Sequence, residues 1–290
     1  MPLYFILSGL FFKQYEGFVG FVKRKTNKLL IPFLFFLYFT SIIPHHFITH
    51  LSATKALLVD REVIFNMPIW FLLCLFEINI IFYLIQWMAT VFPARARTAV
   101  VIVVSLLVGM LGMWLGYNHL PITLFVDTAF SALPLFVFGW WLGRKTDFLR
   151  TPFTPRTDVP LVIVCGLIVG LLAEPMYWTY NSFTLDSIKV AYLCGIAGTL
   201  MVLTLSKLVK RLPLVSYWGR YSIMILCTHY PVKMLLTYAM GRWLTGTALT
   251  AAVFLVTLAI CHMLIPVMRR LLPHVTAQRD LIPVSRSNRS

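Results

Sequence analysis

The stretch Lys23-Arg24-Lys25-Thr26-Asn27-Lys28-Leu29-Leu30-Ile31-Pro32 decides the fold. Four cations crowd into its first six residues, and Leu29 then opens an apolar run that continues to Phe47. A basic cluster set directly against a run long enough to cross lipid marks where a helix leaves water for membrane. The same arrangement recurs along the chain. Ahead of it, Met1–Phe12 is apolar and closes at Lys13. Twelve helical residues reach only roughly 18 Å, against roughly 30 Å of hydrocarbon. No positive stretch precedes this segment and no small-residue cleavage site follows it, so a signal peptide is rejected.

Composition agrees with a membrane class. The 290 residues are 59% hydrophobic and only 12% charged, with a mean hydropathy of +0.83. A soluble domain of this length needs more polar surface. The apolar runs are continuous rather than alternating, which excludes a transmembrane β-barrel. The expected class is all-α, a polytopic transmembrane helix bundle. We expect about eight full spanning helices plus an N-terminal partial helix. The eight are Leu29–Phe47, Pro68–Val91, Thr98–Tyr117, Pro121–Gly143, Pro160–Tyr180, Ile188–Ser206, Leu214–Met240 and Leu244–Val267. Residues 1–272 form one membrane domain, and 273–290 a short, polar, disordered cytoplasmic tail.

The net charge of +15 gains meaning from its placement. Lys13–Lys28, Arg95/Arg97, Arg144–Arg156, Lys207–Arg211 and Arg269–Arg289 are basic connectors. The connectors between them carry few Lys or Arg. This alternation places the basic connectors and the C-terminus in the cytoplasm, and it makes the lipid bilayer, not nucleic acid, the partner of the charge. It also puts Met1 on the outer side, so length and topology together point to a further helix upstream. Cys74, Cys165, Cys194, Cys227 and Cys261 lie in apolar runs without metal spacing or a disulfide framework. They are expected to be small buried hydrophobes, and no metal site is expected.

Charges inside spanning helices are costly and are functional candidates by default. Glu77 lies near the middle of its helix, where a functional role and an internal ion pair stand equally. Asp127 and Glu174 lie nearer helix ends, where water reaches them, and Lys233 can extend to the surface. A lone His262 reads as hydrogen-bonded scaffold. His45, His46 and His50 in the longest loop read as solvated linker, with contact to an acceptor as the alternative. Arg24, Lys25 and Lys28 serve either topology and anionic lipid or a phosphorylated ligand. A spacing of three places Lys25 and Lys28 on one helix face.

Four segments together resemble the acyltransferase family 3 membrane proteins. Met1-Pro2-Leu3-Tyr4-Phe5-Ile6-Leu7-Ser8-Gly9-Leu10-Phe11-Phe12 resembles that family's "MPLFFFLSGFFF" element. Arg24-Lys25-Thr26-Asn27-Lys28-Leu29-Leu30-Ile31-Pro32 resembles its basic "R-x-x-R-L-L-x-P" junction, with Lys25 and Lys28 where the family usually has Arg. Pro68-Ile69-Trp70-Phe71-Leu72 resembles its "WFL" helix start. Gly219-Arg220-Tyr221-Ser222-Ile223 with His229-Tyr230-Pro231 resembles its late "G-x-x-S-x-x-I-Y-x-x-H-x-P" helix.

The resemblance implies a multi-pass protein of the cell membrane, in bacteria the inner membrane. Its implied reaction moves an acyl group, usually acetyl, from acyl-CoA as co-substrate to a hydroxyl of an envelope glycan. No bound cofactor is implied. Arg24, Lys25 and Lys28 would hold the CoA phosphates; Ser8, Gly9, Trp70, Glu77, Arg220, Ser222 and His229 would form the pocket. The family's catalytic His lies in a helix ahead of the first element, so no residue of this chain inherits that role. Two other readings stand beside this one. A glycan or solute transporter would use Glu77, Asp127 and Glu174 along a path, although the inverted repeat typical of transporters is not visible. A truncated, non-catalytic remnant is the other.

Overall fold

The computed structural model describes residues 1–14, 17–41, 66–148, 150–174, 178, 181, 184–209 and 212–283. All of its regular elements are helical: α1 (Pro2–Leu10), α2 (Gly17–Lys25), a π turn (Thr26–Leu30), α3 (Ile31–Ser41), α4 (Trp70–Met88), α5 (Ala94–Tyr117), α6 (Val126–Lys145), α7 (Pro155–Leu172), α8 (Leu185–Val209), α9 (Pro213–Arg220), α10 (Ser222–Met240) and α11 (Gly246–Leu271). Seven helices among the described residues are long and apolar enough to cross a membrane: Met67–Val91, Ala94–Tyr117, Thr123–Lys145, Pro155–Leu172, Ser187–Val209, Ser222–Met240 and Gly246–Leu271. The expected helix Leu29–Phe47 is described only as far as Ser41; its remainder and the loop carrying His45, His46 and His50 lie outside the described residues.

The chain divides into two compact units, Met1–Tyr15 with Glu77–Arg211, and Glu16–Phe76 with Leu212–Ser290. In the first unit, α1 lies parallel to α6 at backbone contact. A Cβ on Gly9 would stand 1.8 Å from the Phe136 carbonyl oxygen, and one on Gly139 would stand 1.9 Å from that of Ile6. Lipid tails are as apolar as the side chains, so helices in a membrane associate through such close packing. Phe12 and Phe82 meet edge to face at 5.0 Å beside this contact, and Phe82 meets Phe136 at 5.1 Å and Trp140 at 5.3 Å. On α5, Ser105, Gly109, Gly112 and Gly116 form a buried stripe; a Cβ on Gly112 would lie 2.4 Å from the Ser131 nitrogen of α6. The other face of α5 exposes Val103, Leu107, Met110 and Trp114, suited to lipid. Near the basic end, Lys207 reaches Asp158 at 3.7 Å with both side chains over 90% covered, at 6% and 9% exposure.

In the second unit, α10 and α11 run antiparallel. Thr228 Oγ1 and Cys261 Sγ approach to 3.7 Å, and Arg269 Nη1 donates to the Tyr221 hydroxyl at 3.1 Å. Buried Asn66 donates to the Cys227 carbonyl at 2.8 Å. The five cysteines are free; Cys194 is half-buried and the rest are buried.

Three departures from expectation change the architecture. The helix expected over Pro160–Tyr180 starts at Pro155 and stops at Leu172. Pro155 fits the first turn, which needs no N–H, and the Asp158 carboxylate accepts from the Thr154 nitrogen at 2.9 Å. The helix expected over Leu214–Met240 bends at Tyr221, whose φ of −110° and ψ of 25° separate α9 from α10. The Tyr221 hydroxyl is held by Arg269, which fixes the bend. Residues 273–283 of the expected disordered tail instead fold back as turns, with Arg279 N bonded to the Pro273 carbonyl at 2.9 Å and Thr276 fully buried.

Gly9→Ala forces backbone apart and should cost about 3 kcal/mol or more, at the upper end of overpacking. Gly170→Ala, with open space around its Cβ position, should leave thermal unfolding unchanged or slightly raised. Unfolding midpoints in detergent check both, and equal midpoints would refute the packing assignment.

Candidate functional site

The basic junction is built by a change of helical pitch. The chain enters as α2, widens into i→i+5 bonding over Thr26–Leu30, and resumes as α3. Single π turns of this kind are frequent at functional sites. The wider turn rotates successive side chains by less than an α-helix does. The expectation that Lys25 and Lys28 share a face is therefore corrected. Lys25 sits 5.4 Å from the Phe21 ring centre, whereas Lys28 points to the C-terminal segment.

The same turn buries Asn27 completely. Its Oδ1 accepts from the nitrogens of Leu281 and Ile282 at 3.0 and 2.9 Å, and its Nδ2 donates to the Ile282 carbonyl at 2.9 Å. One side chain thus pairs with the main chain as a neighbouring strand would. Lys28 Nζ donates to the Ala277 carbonyl at 2.7 Å and lies 3.4 Å from Asp280. Lys28 and Asp280 are 47% and 45% exposed, so their pair contributes at most about 1 kcal/mol. A more highly charged anion can compete for Lys28.

Burial pushes the Lys25 ammonium down from its ordinary 10.5 to about 8. A cation held so weakly in its charged form gains most from an incoming phosphate. Arg24 is half-buried on the preceding turn.

The pocket candidates divide between the units. Trp70, 2% exposed, starts α4 in the second unit as the sequence reading expects. Arg220 ends α9 exposed, and Ser222 starts α10 half-buried. His229, half-buried on α10, directs Nδ1–H to the Ile225 carbonyl at 2.9 Å. That bond leaves Nε2 as the accepting nitrogen. Ser8, Gly9 and Glu77 belong to the first unit; Gly9 is a helix contact, and Ser8 and Glu77 are half-buried. His262 accepts from Trp218 Nε1 at 3.1 Å, a scaffold role. Glu174 is exposed just beyond α7, whereas Asp127 is 1% exposed and accepts from Ile122 N at 3.3 Å, so it is better covered than expected.

Sequence reasoning missed Asn27 and Asp280. A faint signal existed for the second, since Asp280 is the one carboxylate side chain after Asp186. Asn27 carried none, because its partners are main-chain atoms 255 positions away.

A family model described as an acyltransferase domain, the third acyltransferase family, matches residues 1–265. No curated protein and no solved structure matches the chain.

Two outcomes follow from this geometry. Asn27→Ala removes three hydrogen bonds and should release the C-terminal segment, at about 2–4 kcal/mol for the groups left unpaired. Trypsin should then cut after Arg279 at least tenfold faster than in the parent protein, and an unchanged rate would refute the clasp. For Lys25, the unfolded chain binds more protons than the folded one between about pH 8 and 10.5. Stability should therefore rise with pH across that window. Lys25→Met should flatten that slope in unfolding measurements.

Proposed function

The chain belongs to the third acyltransferase family, and from that premise we propose that it carries an acyl group, acetyl in the simplest case, from cytoplasmic acyl-CoA to a hydroxyl of an envelope sugar or exported polysaccharide. The observation that carries this reading is the family match over residues 1–265. The seven long apolar helices make the protein a multi-pass membrane acyltransferase. The charge alternation supports a cytoplasmic position for the basic ends and the C-terminus, and a bacterial inner membrane suits an envelope acceptor.

The donor's phosphates lie against Arg24, Lys25 and Lys28. Lysine lacks the fork of arginine but neutralises phosphate as a point charge. Phosphate arriving at Lys25 raises its pKa back toward the ordinary range, so donor binding takes up a proton near pH 8. At Lys28 the phosphate displaces the half-exposed Asp280 carboxylate. The acceptor hydroxyl oxygen then attacks the thioester carbonyl. A C–O bond forms, the C–S bond breaks, and the hydroxyl proton passes through a neighbouring base to the departing thiolate. No covalent enzyme intermediate is required. His229 Nε2 orients the acceptor hydroxyl by accepting a hydrogen bond, while Trp70, Arg220 and Ser222 shape the pocket around it.

Release of free CoA thiol from acetyl-CoA, measured in membranes supplied with envelope glycan, tests the proposal. Lys25→Gln and Lys28→Gln should each raise the KM for donor about tenfold with a smaller change in kcat, as expected for a lost charge-assisted contact of about 1.4 kcal/mol. Asp280→Asn should lower that KM. Glycan-dependent thiol release that ignores all three changes would sink the assignment of the donor site, and a transport signal without thiol release would sink the reaction.

A further inference from the structure

The first unit holds a cavity of about 620 Å³ where the ends of α1 and α6 meet. Leu10 and Phe12 supply apolar wall, and Lys13, Arg144, Lys145 and Arg150 line the rest. The volume lies within the range of small-molecule sites. The four cations are exposed, so the cavity opens to water. They come from two segments far apart in sequence, joined by the α1–α6 backbone contact. A Cβ on Gly143, which lines the cavity, would lie 2.8 Å from the Leu10 carbonyl oxygen.

The simplest competing account is that these cations offset two helix C-termini. Each terminus carries roughly half a negative charge. Asp147, also in the lining, adds one more and pairs with Arg150 at 3.4 Å, both well exposed. Four cations against these leave a surplus of about two positive charges. The last carbonyls are moreover already bonded: Thr146 N and Oγ1 donate to Leu142 O at 3.1 and 2.7 Å, and Phe12 N donates to Gly9 O at 3.0 Å. The Arg144 guanidinium lies 5.1 Å from the Trp140 ring centre, a contact that leaves its N–H groups available. Among the described residues, Lys13 and Lys145 have no carboxylate partner.

We propose that this cavity binds a phosphate-bearing anion of two or more negative charges, separately from the junction at Lys25 and Lys28. The chemistry is shared by a soluble oligophosphate and by the phosphomonoester headgroup of an anionic lipid. The clustered cations suit either, and the apolar wall also accommodates a phosphate joined to a less polar body. The inference stands independently of the reaction proposed above.

The test uses the full chain purified into phosphatidylcholine nanodiscs. Calorimetric titration with pyrophosphate and with triphosphate reads soluble ligands, in a Lys25→Gln/Lys28→Gln background that removes the proposed donor junction from the reading. Native mass spectrometry after exchange with phosphatidic acid reads a lipid headgroup. Binding of a soluble probe, or retention of phosphatidic acid over phosphatidylcholine, supports the site and identifies its source. In that background, adding Lys13→Gln/Lys145→Gln should weaken the binding at least tenfold. Asp147→Asn, an exposed change that does not threaten folding, should tighten it about threefold. The proposal is overturned if no probe binds in that background, if Lys13→Gln/Lys145→Gln leaves the binding unchanged, or if Asp147→Asn leaves the affinity unchanged.

Discussion

The first unit depends on main-chain contact between α1 and α6. Water drives apolar surfaces together in soluble proteins, but between helices in lipid that force is absent. What remains is dispersion, which decays steeply with distance. Gly9 and Gly139 let the two backbones touch, so every neighbouring atom pair comes within useful range. The aromatic group of Phe12, Phe82, Phe136 and Trp140 closes around this line. The α5 stripe repeats the principle against the opposite flank of α6, and α6 is accordingly the most buried of the spanning helices, with 67% of its apolar window covered.

The second unit solves a different problem. A segment leaving the membrane must satisfy its main-chain groups without a regular partner. Asn27 supplies one acceptor used twice and one donor, which a main-chain peptide group would otherwise provide. The π turn makes this available by rotating Asn27 inward between two lysines of opposite fate: Lys25 half-buried beside Phe21, Lys28 exposed and shared with Asp280. The junction is therefore both a structural clasp and the place where charge is least comfortably held. Those two properties meet in a single turn because widening the helix exposes one cation as it covers the other.

Much of this was legible in the residues, for reasons that differ from place to place. The apolar runs follow from transfer free energies summed over a helix, a local quantity, so α4, α5, α6, α8 and α11 lie close to where hydropathy puts them. The family resemblance rested on four separated segments and agrees with the match over residues 1–265. The bend at Tyr221 was not legible, because hydropathy is continuous through Leu214–Met240 and the bend is held by a hydroxyl bond to Arg269. The π turn has no residue signature, which is why the Lys25/Lys28 spacing was misread as one face. Residues 273–283 are polar and short, and their order comes from Asn27, remote in sequence. The cations Lys13, Arg144 and Lys145 were legible as topology signals but not as a cluster, since the α1–α6 backbone contact brings them together.

The clasp also sets a timetable for assembly. The second unit takes its residues from Glu16–Phe76 and Leu212–Ser290, with the body of the first unit made between them. Asn27 emerges early, but the nitrogen of Ile282 that it binds lies 255 positions later. At roughly 5–20 residues per second, the early half waits on the order of ten seconds or more for its partner. During that interval the basic turn stands open, and the first unit can pack without it. The clasp is thus closed at one buried amide, and only after the segment around Ile282 has been made.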